Sequence, residues 1–232
     1  MKYMGSKARH AKEMLPIILA DRKPGQWYVE PFVGGANMID KVNGPRIGND
    51  AFSPLIACHQ ALQQGWLPPE VISEEEYASI KNNQDEYPPE LVGYAGFQLS
   101  YGAVWFSTYR RDTIGKRNYA IEAYKNVAKQ APKLKGIEFS CGSYLDLNVP
   151  DCSIIYCDPP YAGTTKYATG GFDHVQFWEW CETKAIEGHI VFVSEYIAPN
   201  SWECVWQKSV NNTLAKDTGS KQGIERLFRY VH

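Results

Sequence analysis

The chain has 232 residues, with 24 Lys and Arg against 26 Asp and Glu, and a formal net charge of −2. Its 44% hydrophobic and 13% aromatic content excludes a disordered chain, and its length suits one large domain or one domain carrying a sizeable insertion. The six cysteines form no CxxC pair and no finger-like Cys/His spacing, which argues against a structural zinc site and for reduced thiols in a cytoplasmic protein.

Residues 8–20 are predicted helical. Pro16 interrupts the apolar run from Met14 to Ala20 and Asp21-Arg22-Lys23 closes it, so the run reads as a helix face rather than a targeting or membrane segment. Residues 27–30 form a short strand stopped by Pro31 and by Gly34-Gly35, and residues 36–42 are predicted to open a helix. A second strand over 46–49 ends at Asp50, and a helix follows over 52–64. Residues 65–136 change character: Pro68-Pro69, Pro88-Pro89 and Glu74-Glu75-Glu76 punctuate mainly helical segments, followed by an aromatic and basic stretch from Tyr101 to Tyr124. From residue 137 strands return, over 137–139, 153–157 and 189–193, the last preceded by a helix over 176–187. Residues 224–231 read either as an edge strand pair or as a short helix. This alternation predicts an α/β fold, with residues 1–64 and 137–232 as one domain and 65–136 inserted in it as a small helical domain.

Three signals carry chemistry. Asp158-Pro159-Pro160-Tyr161 directly follows an apolar strand. Two prolines fix φ and remove two backbone donors, which leaves a rigid loop at a strand's C-terminal end, where open α/β sheets bind ligands. The Asp158 carboxylate, the Pro159 carbonyl and the Tyr161 ring together suit an exocyclic amino group on a planar base. The second signal is the strand–glycine turn Glu30-Pro31-Phe32-Val33-Gly34-Gly35, where glycine lets backbone approach a ligand; a tight strand–helix connection explains it equally well in isolation. The third is Asp50, twenty positions after Glu30 at the next strand's end, an offset suited to ribose hydroxyls. Neither GxGxxG nor GxxxxGK[ST] is present, which disfavours a nucleotide-dependent oxidoreductase and a P-loop.

Together with Lys2-Tyr3-Met4-Gly5-Ser6-Lys7 and Cys141-Gly142-Ser143-Tyr144-Leu145-Asp146, these motifs resemble, in order, those of the Dam-type (D12 class, alpha group) DNA adenine-N6 methyltransferases. Ala36 stands where that family often has a second glycine. The resemblance implies a Rossmann-like S-adenosylmethionine-dependent methyltransferase sheet with an inserted, mainly helical target-recognition domain. It implies Asp158, Pro159, Pro160 and Tyr161 as the catalytic loop. Tyr3, Lys7, Glu30, Pro31, Phe32, Gly34, Asp50 and Tyr144, with Asp158, would surround S-adenosylmethionine; no metal or membrane is implied. Double-stranded DNA would be the partner, met by Tyr109, Arg110, Arg111, Lys116, Arg117 and Asn118, although a charged run such as this often lies on a solvated face. RNA adenine-N6 or DNA cytosine-N4 methylation, and a non-catalytic DNA-binding relative, are the alternatives. The target sequence, and an orphan, phage-protective or restriction–modification role with an endonuclease partner, stay open.

The net charge of −2 conceals segregation. Residues 98–136 hold eight basic and two acidic side chains, whereas residues 24–97 hold three and ten and residues 137–204 hold two and ten. A near-neutral chain can therefore present a basic surface to a polyanion.

Overall fold

The computed structural model describes residues 1–112, 114–161, 171–211 and 222–231. Five short segments form the parallel part of one sheet: β1 (Tyr28–Glu30), β2 (Arg46–Asp50), β3 (Ile137–Cys141), β4 (Ile154–Cys157) and β5 (Ile190–Ser194). β6 (Trp202–Asn211) and β7 (Gln222–Tyr230) pair antiparallel with each other, and β7 also pairs antiparallel with β5. The strand order is β3-β2-β1-β4-β5-β7-β6. All residues of β1 and β4 are buried, as expected for central parallel strands covered on both faces. Chain order reverses between β1 and β4, so the crevice of this Rossmann-like sheet opens where Glu30 and Asp158 emerge.

The helices bury apolar faces at helical spacing. α1 (Ala11–Ile18) turns in Ala11, Met14, Leu15 and Ile18, and α2 (Ser53–Gln63) turns in Leu55, Ile56, Cys58, His59 and Leu62. α3 (Glu74–Asn82) is capped by Ser73, whose hydroxyl accepts from the Glu76 N–H. α4 (Pro89–Gln98) lies so close to α2 that a Cβ on Gly93 would stand 1.9 Å from the Pro54 carbonyl oxygen. α5 (Tyr119–Gln130) buries Ala120, Ala123, Val127 and Gln130, and α6 (His174–Ile186) buries Phe177, Trp180, Cys181 and Ala185. Val92, Tyr94 and Ala95 of α4 and Val127 of α5 share one buried cluster with Tyr28, Ile154 and Phe192 of the sheet. Among the described residues no helix is long and apolar enough to cross a membrane.

Two expectations need correction. Residues 36–42 do not form a helix; only a single 3-10 turn, Ile39–Lys41, appears there. Ala36 takes a left-handed φ of 54°, and the carbonyls of Gly35 and Ala36 accept from the Gln130 side-chain amide. Residues 224–231 fall, up to Tyr230, in a strand rather than a helix, in the antiparallel β6–β7 pair that ends the sheet, but β7 is the inner member of that pair, between β5 and β6. The edge strand on this side is β6, which the sequence pattern did not disclose because its side chains are mostly part-exposed or exposed.

Candidate active site

The crevice is a cavity of about 810 Å³ between the N-terminal segment, the loops after β1, β2, β3 and β4, and residues from β7 and α4. On one side the chain prepares a backbone cradle. Gly34 has a φ of +46°, and a Cβ there would stand 2.8 Å from the Tyr3 ring, so the missing side chain admits Tyr3 against the loop. Asp50 fastens this loop to the next: its Oδ2 accepts from the Gly34 N–H at 3.0 Å and its Oδ1 from the Phe52 N–H at 3.0 Å. Burial raises the Asp50 carboxyl above its ordinary range, and these backbone donors oppose the shift. Asn49 donates to the carbonyls of Pro31 at 3.2 Å and Gly142 at 2.9 Å, tying the β1 and β3 loops together.

Glu30, at the end of β1, is buried, and its Oε1 accepts from the Tyr28 hydroxyl at 2.8 Å. Burial pushes its carboxyl well above the ordinary range; the Tyr28 hydrogen bond opposes this and the nearby Asp158 adds to it. Phe32 packs against Tyr144 at 5.1 Å between ring centroids, and Tyr144 meets Trp180 edge-on at 5.3 Å. Burial raises the Tyr144 phenol to about 12. Pro31 lines the same wall.

The opposite side is built from charged side chains. Lys7 is only 5% exposed, and its Nζ donates to Asp158 Oδ1 at 2.9 Å and to the Gly5 carbonyl at 3.0 Å. The same Nζ lies 3.7 Å from Glu225 Oε2 and 4.6 Å from the centre of the Tyr161 ring. The Tyr161 hydroxyl donates to Glu225 Oε2 at 3.0 Å, and its ring meets Tyr196 edge-on at 4.7 Å. Burial raises the Asp158 carboxyl; Lys7 pulls it back and Glu225 pushes it further up. Pro159 and Pro160 complete this lip of the cavity. Among the described residues, no group of three or more His, Cys, Asp and Glu side chains is placed to hold a metal ion.

The structure thus brings Tyr3, Lys7, Glu30, Pro31, Phe32, Gly34, Asp50, Tyr144 and residues 158–161 around one cavity. The six basic-segment residues do not line it. The Tyr109 hydroxyl donates to the Ile72 carbonyl at 2.7 Å, and Asn118 caps α5 by accepting from the Ile121 N–H at 3.1 Å. Arg110 stacks 3.8 Å over the Tyr119 ring, Arg111 makes a two-pronged ion pair with Glu74, Arg117 faces Glu122 at 3.5 Å, and Lys116 is exposed.

Several site residues carried no signal in the sequence. Glu225 and Tyr196 sit on or beside distant strands. His59 looks like one more buried position of α2, yet its Nε2 lies 2.7 Å from the Gly34 carbonyl oxygen. Burial lowers its pKa to about 4, so the ring is neutral at pH 7, with Nε2–H donating to that carbonyl.

Residues 3–92 match the family model of the D12 class N6 adenine-specific DNA methyltransferases. The matched span holds Tyr3, Lys7, Glu30, Gly34 and Asp50, while Asp158 and Tyr161 lie beyond it. Similar solved structures include yhhF from Escherichia coli, assigned as a methyltransferase, at 10% identity and a TM-score of 0.39, over 96% of this chain and 85% of that one. Another is SMU.472, also assigned as a methyltransferase and solved with SAH, at 13% identity and a TM-score of 0.42. That alignment covers 99% of this chain and 54% of the other, so the chain spans about half the length of SMU.472.

Proposed function

We propose that the protein is a site-specific DNA methyltransferase that moves a methyl group from S-adenosylmethionine to N6 of adenine in duplex DNA. The observation that carries this reading is the Asp158-Pro159-Pro160-Tyr161 loop facing the Gly34 cradle across one cavity at the sheet's reversal point. The cavity volume of about 810 Å³ falls within the range of cofactor and ligand pockets.

The residues present fit the cofactor. Gly34 and Gly35 let Tyr3 pack against the loop where a Cβ would collide with it, and Asp50, held by backbone N–H groups that include those of Gly34 and Phe52, keeps acceptor capacity for a ribose hydroxyl. Glu30 lies at the strand end for the amino-acid portion, and Phe32 and Tyr144 offer aromatic surface. When bound, S-adenosylmethionine supplies a methyl group already activated by its sulfonium.

Adenine N6 is a weak nucleophile because its lone pair is delocalised into the ring. The Asp158 carboxylate and the Pro159 carbonyl accept the two N6 hydrogens and favour a more tetrahedral nitrogen, a positional and electrostatic contribution. Tyr161 stacks on the base once it has left the duplex, as chemistry on a paired base requires. In this reading residues 65–136 meet DNA. Arg110, Lys116 and Arg117 supply phosphate or base contacts, Arg111 does so by exchanging Glu74, and Tyr109 and Asn118 hold the segment's shape.

The test is long-read modification sequencing of DNA from cells expressing the protein, beside an Asp158→Ala control. N6-methyladenine in a recurring sequence context that depends on Asp158 is the expected result, and it would give the target sequence. Absence of any such mark overturns the reading.

A further inference from the structure

The reading above needs Asp158 as an acceptor for the target amino group, and Asp158 Oδ1 accepts from Lys7 at 2.9 Å, so an amino group that approaches this oxygen competes with the ammonium for it. Lys7 is almost wholly buried, and a displaced buried ammonium needs another partner, since an unpaired buried charge is strongly unfavourable. Glu225 Oε2 lies 3.7 Å from the same Nζ, so a shift of about 1 Å brings it to hydrogen-bond distance. An ammonium has three donors, so Lys7 can keep the Gly5 carbonyl while it changes carboxylates.

We propose that Glu225 is a positioning residue for methyl transfer: it takes over the Lys7 ammonium when the target amino group claims Asp158, and its Oε2 meanwhile fixes the Tyr161 ring. The inference rests on the methyltransferase reading and adds to it a residue from β7, far from every motif in the chain. No covalent bond changes in this step. One hydrogen bond of Lys7 passes from Asp158 to Glu225, and the substrate N–H replaces it. The groups facing Asp158 are Lys7 from the N-terminal segment, Glu225 from β7, Glu30 from β1, Tyr156 from β4 and Tyr161 from its own loop. Beside Glu225 stand Tyr196 and His10. Removing the Glu225 charge therefore leaves Lys7 held on Asp158 and lets Asp158 ionise at lower pH.

The experiment measures transfer of tritiated methyl groups from S-adenosylmethionine to unmethylated duplex genomic DNA by the full chain. Gln at position 225 can still accept from the Tyr161 hydroxyl but carries no charge, so Glu225→Gln separates fixing the ring from receiving Lys7. Loss of a hydrogen bond to a charged group is expected to lower kcat by about tenfold or more in Glu225→Gln, with KM for the cofactor little changed. The acid limb of the pH profile should move to lower pH. Glu225→Asp, which keeps the charge, should restore the wild-type limb and most of the rate, and it serves as the readable variant should Glu225→Gln not fold. In a Lys7→Met background, Glu225→Gln should add less than about a twofold loss, because no ammonium remains to be received. An unaltered rate in Glu225→Gln overturns the inference. So does an equal loss in both backgrounds with an unmoved acid limb. If the wild type is active, Asp158→Ala is not and Glu225→Gln is normal, only this inference falls. If the wild type transfers no Asp158-dependent methyl, the methyltransferase reading falls and this inference falls with it.

Discussion

The two walls of the cavity are built by different physics. On the Gly34 side, carboxylates and amides grip backbone: Asp50 holds the Gly34 and Phe52 N–H groups, Asn49 holds two carbonyls, and His59 holds a third. On the Asp158 side, side chains mostly hold one another: Lys7, Asp158, Glu225 and Tyr161 are joined by ionic, hydrogen-bond and ring contacts. Backbone partners cannot be exchanged without remaking a loop, whereas side-chain partners can be exchanged by rotating a few bonds. A wall of the first kind suits a ligand that binds the same way every cycle, and one of the second kind suits a group that must be taken up and released.

Removing Asp158 is the severest way to break this contrast. Asp158→Ala should reduce methyl transfer by about 10²–10³-fold, the scale for loss of a preorganised electrostatic group, while cofactor binding, which rests mainly on the opposite wall, falls far less. Equilibrium dialysis with labelled S-adenosylmethionine beside single-turnover rates reads both, and a matching loss of cofactor binding would merge the two walls into one unit. Gly34→Val should be next. Its Cβ collides with the Tyr3 ring and its φ is left-handed, so a cost of about 1–3 kcal/mol in urea unfolding and a collapse of cofactor affinity are expected. Asp50→Ala leaves two backbone N–H groups without their acceptor and should cost about 1–3 kcal/mol, with weaker cofactor binding read by the same dialysis.

The pH profile sharpens the contrast further. Burial raises the Asp158 carboxyl, and its ionised form is the stronger acceptor, free to take amino hydrogens on either oxygen. Activity should therefore fall on acidification at a pH above the ordinary aspartate range, by about tenfold per unit below the limb, and a limb at the ordinary value would contradict the burial seen here. Stability runs the other way. A raised folded-state pKa means that the fold binds this proton more tightly than the unfolded chain, so the contribution is present at low pH and lost as pH rises through the raised value. The smallest expected effect is Arg110→Ala, which should weaken DNA binding uniformly across sequences and reduce the slope of log affinity against log salt by about one, with cofactor binding unchanged. An unchanged slope would remove Arg110 from the DNA surface.

The part of the backbone-gripping wall that follows strand ends was legible in the sequence, whereas Asn49 and His59, which grip the same loops, were not. Glu30, Gly34 and Asp50 sit at or just past the ends of two consecutive strands, and Asp158 follows an unmistakable apolar strand. The other wall was only half legible. Lys7 and Tyr161 belong to motifs, but Glu225 enters through the pairing of β7 beside β5, and nothing in Ile224-Glu225-Arg226-Leu227 states which strand will lie next to it. Ala36 was legible as a residue and not as a conformation: the helix expected over 36–42 ignored Gln130, which takes the carbonyls of Gly35 and Ala36 from 95 and 94 positions away. Local pattern misses partners set by topology.

The contact between α4 and α2 has a mechanical consequence. With the Pro54 carbonyl where a Gly93 side chain would have to stand, the two helices meet backbone to backbone, and any side chain at 93 would push them apart. Pro54 belongs to the helix that follows Asp50, so any reading surface built on residues 65–136 is keyed to the cofactor wall through backbone. If residues 65–136 meet DNA as proposed, this backbone contact would set the span between that surface and the cavity, and a bulkier residue at 93 would change it.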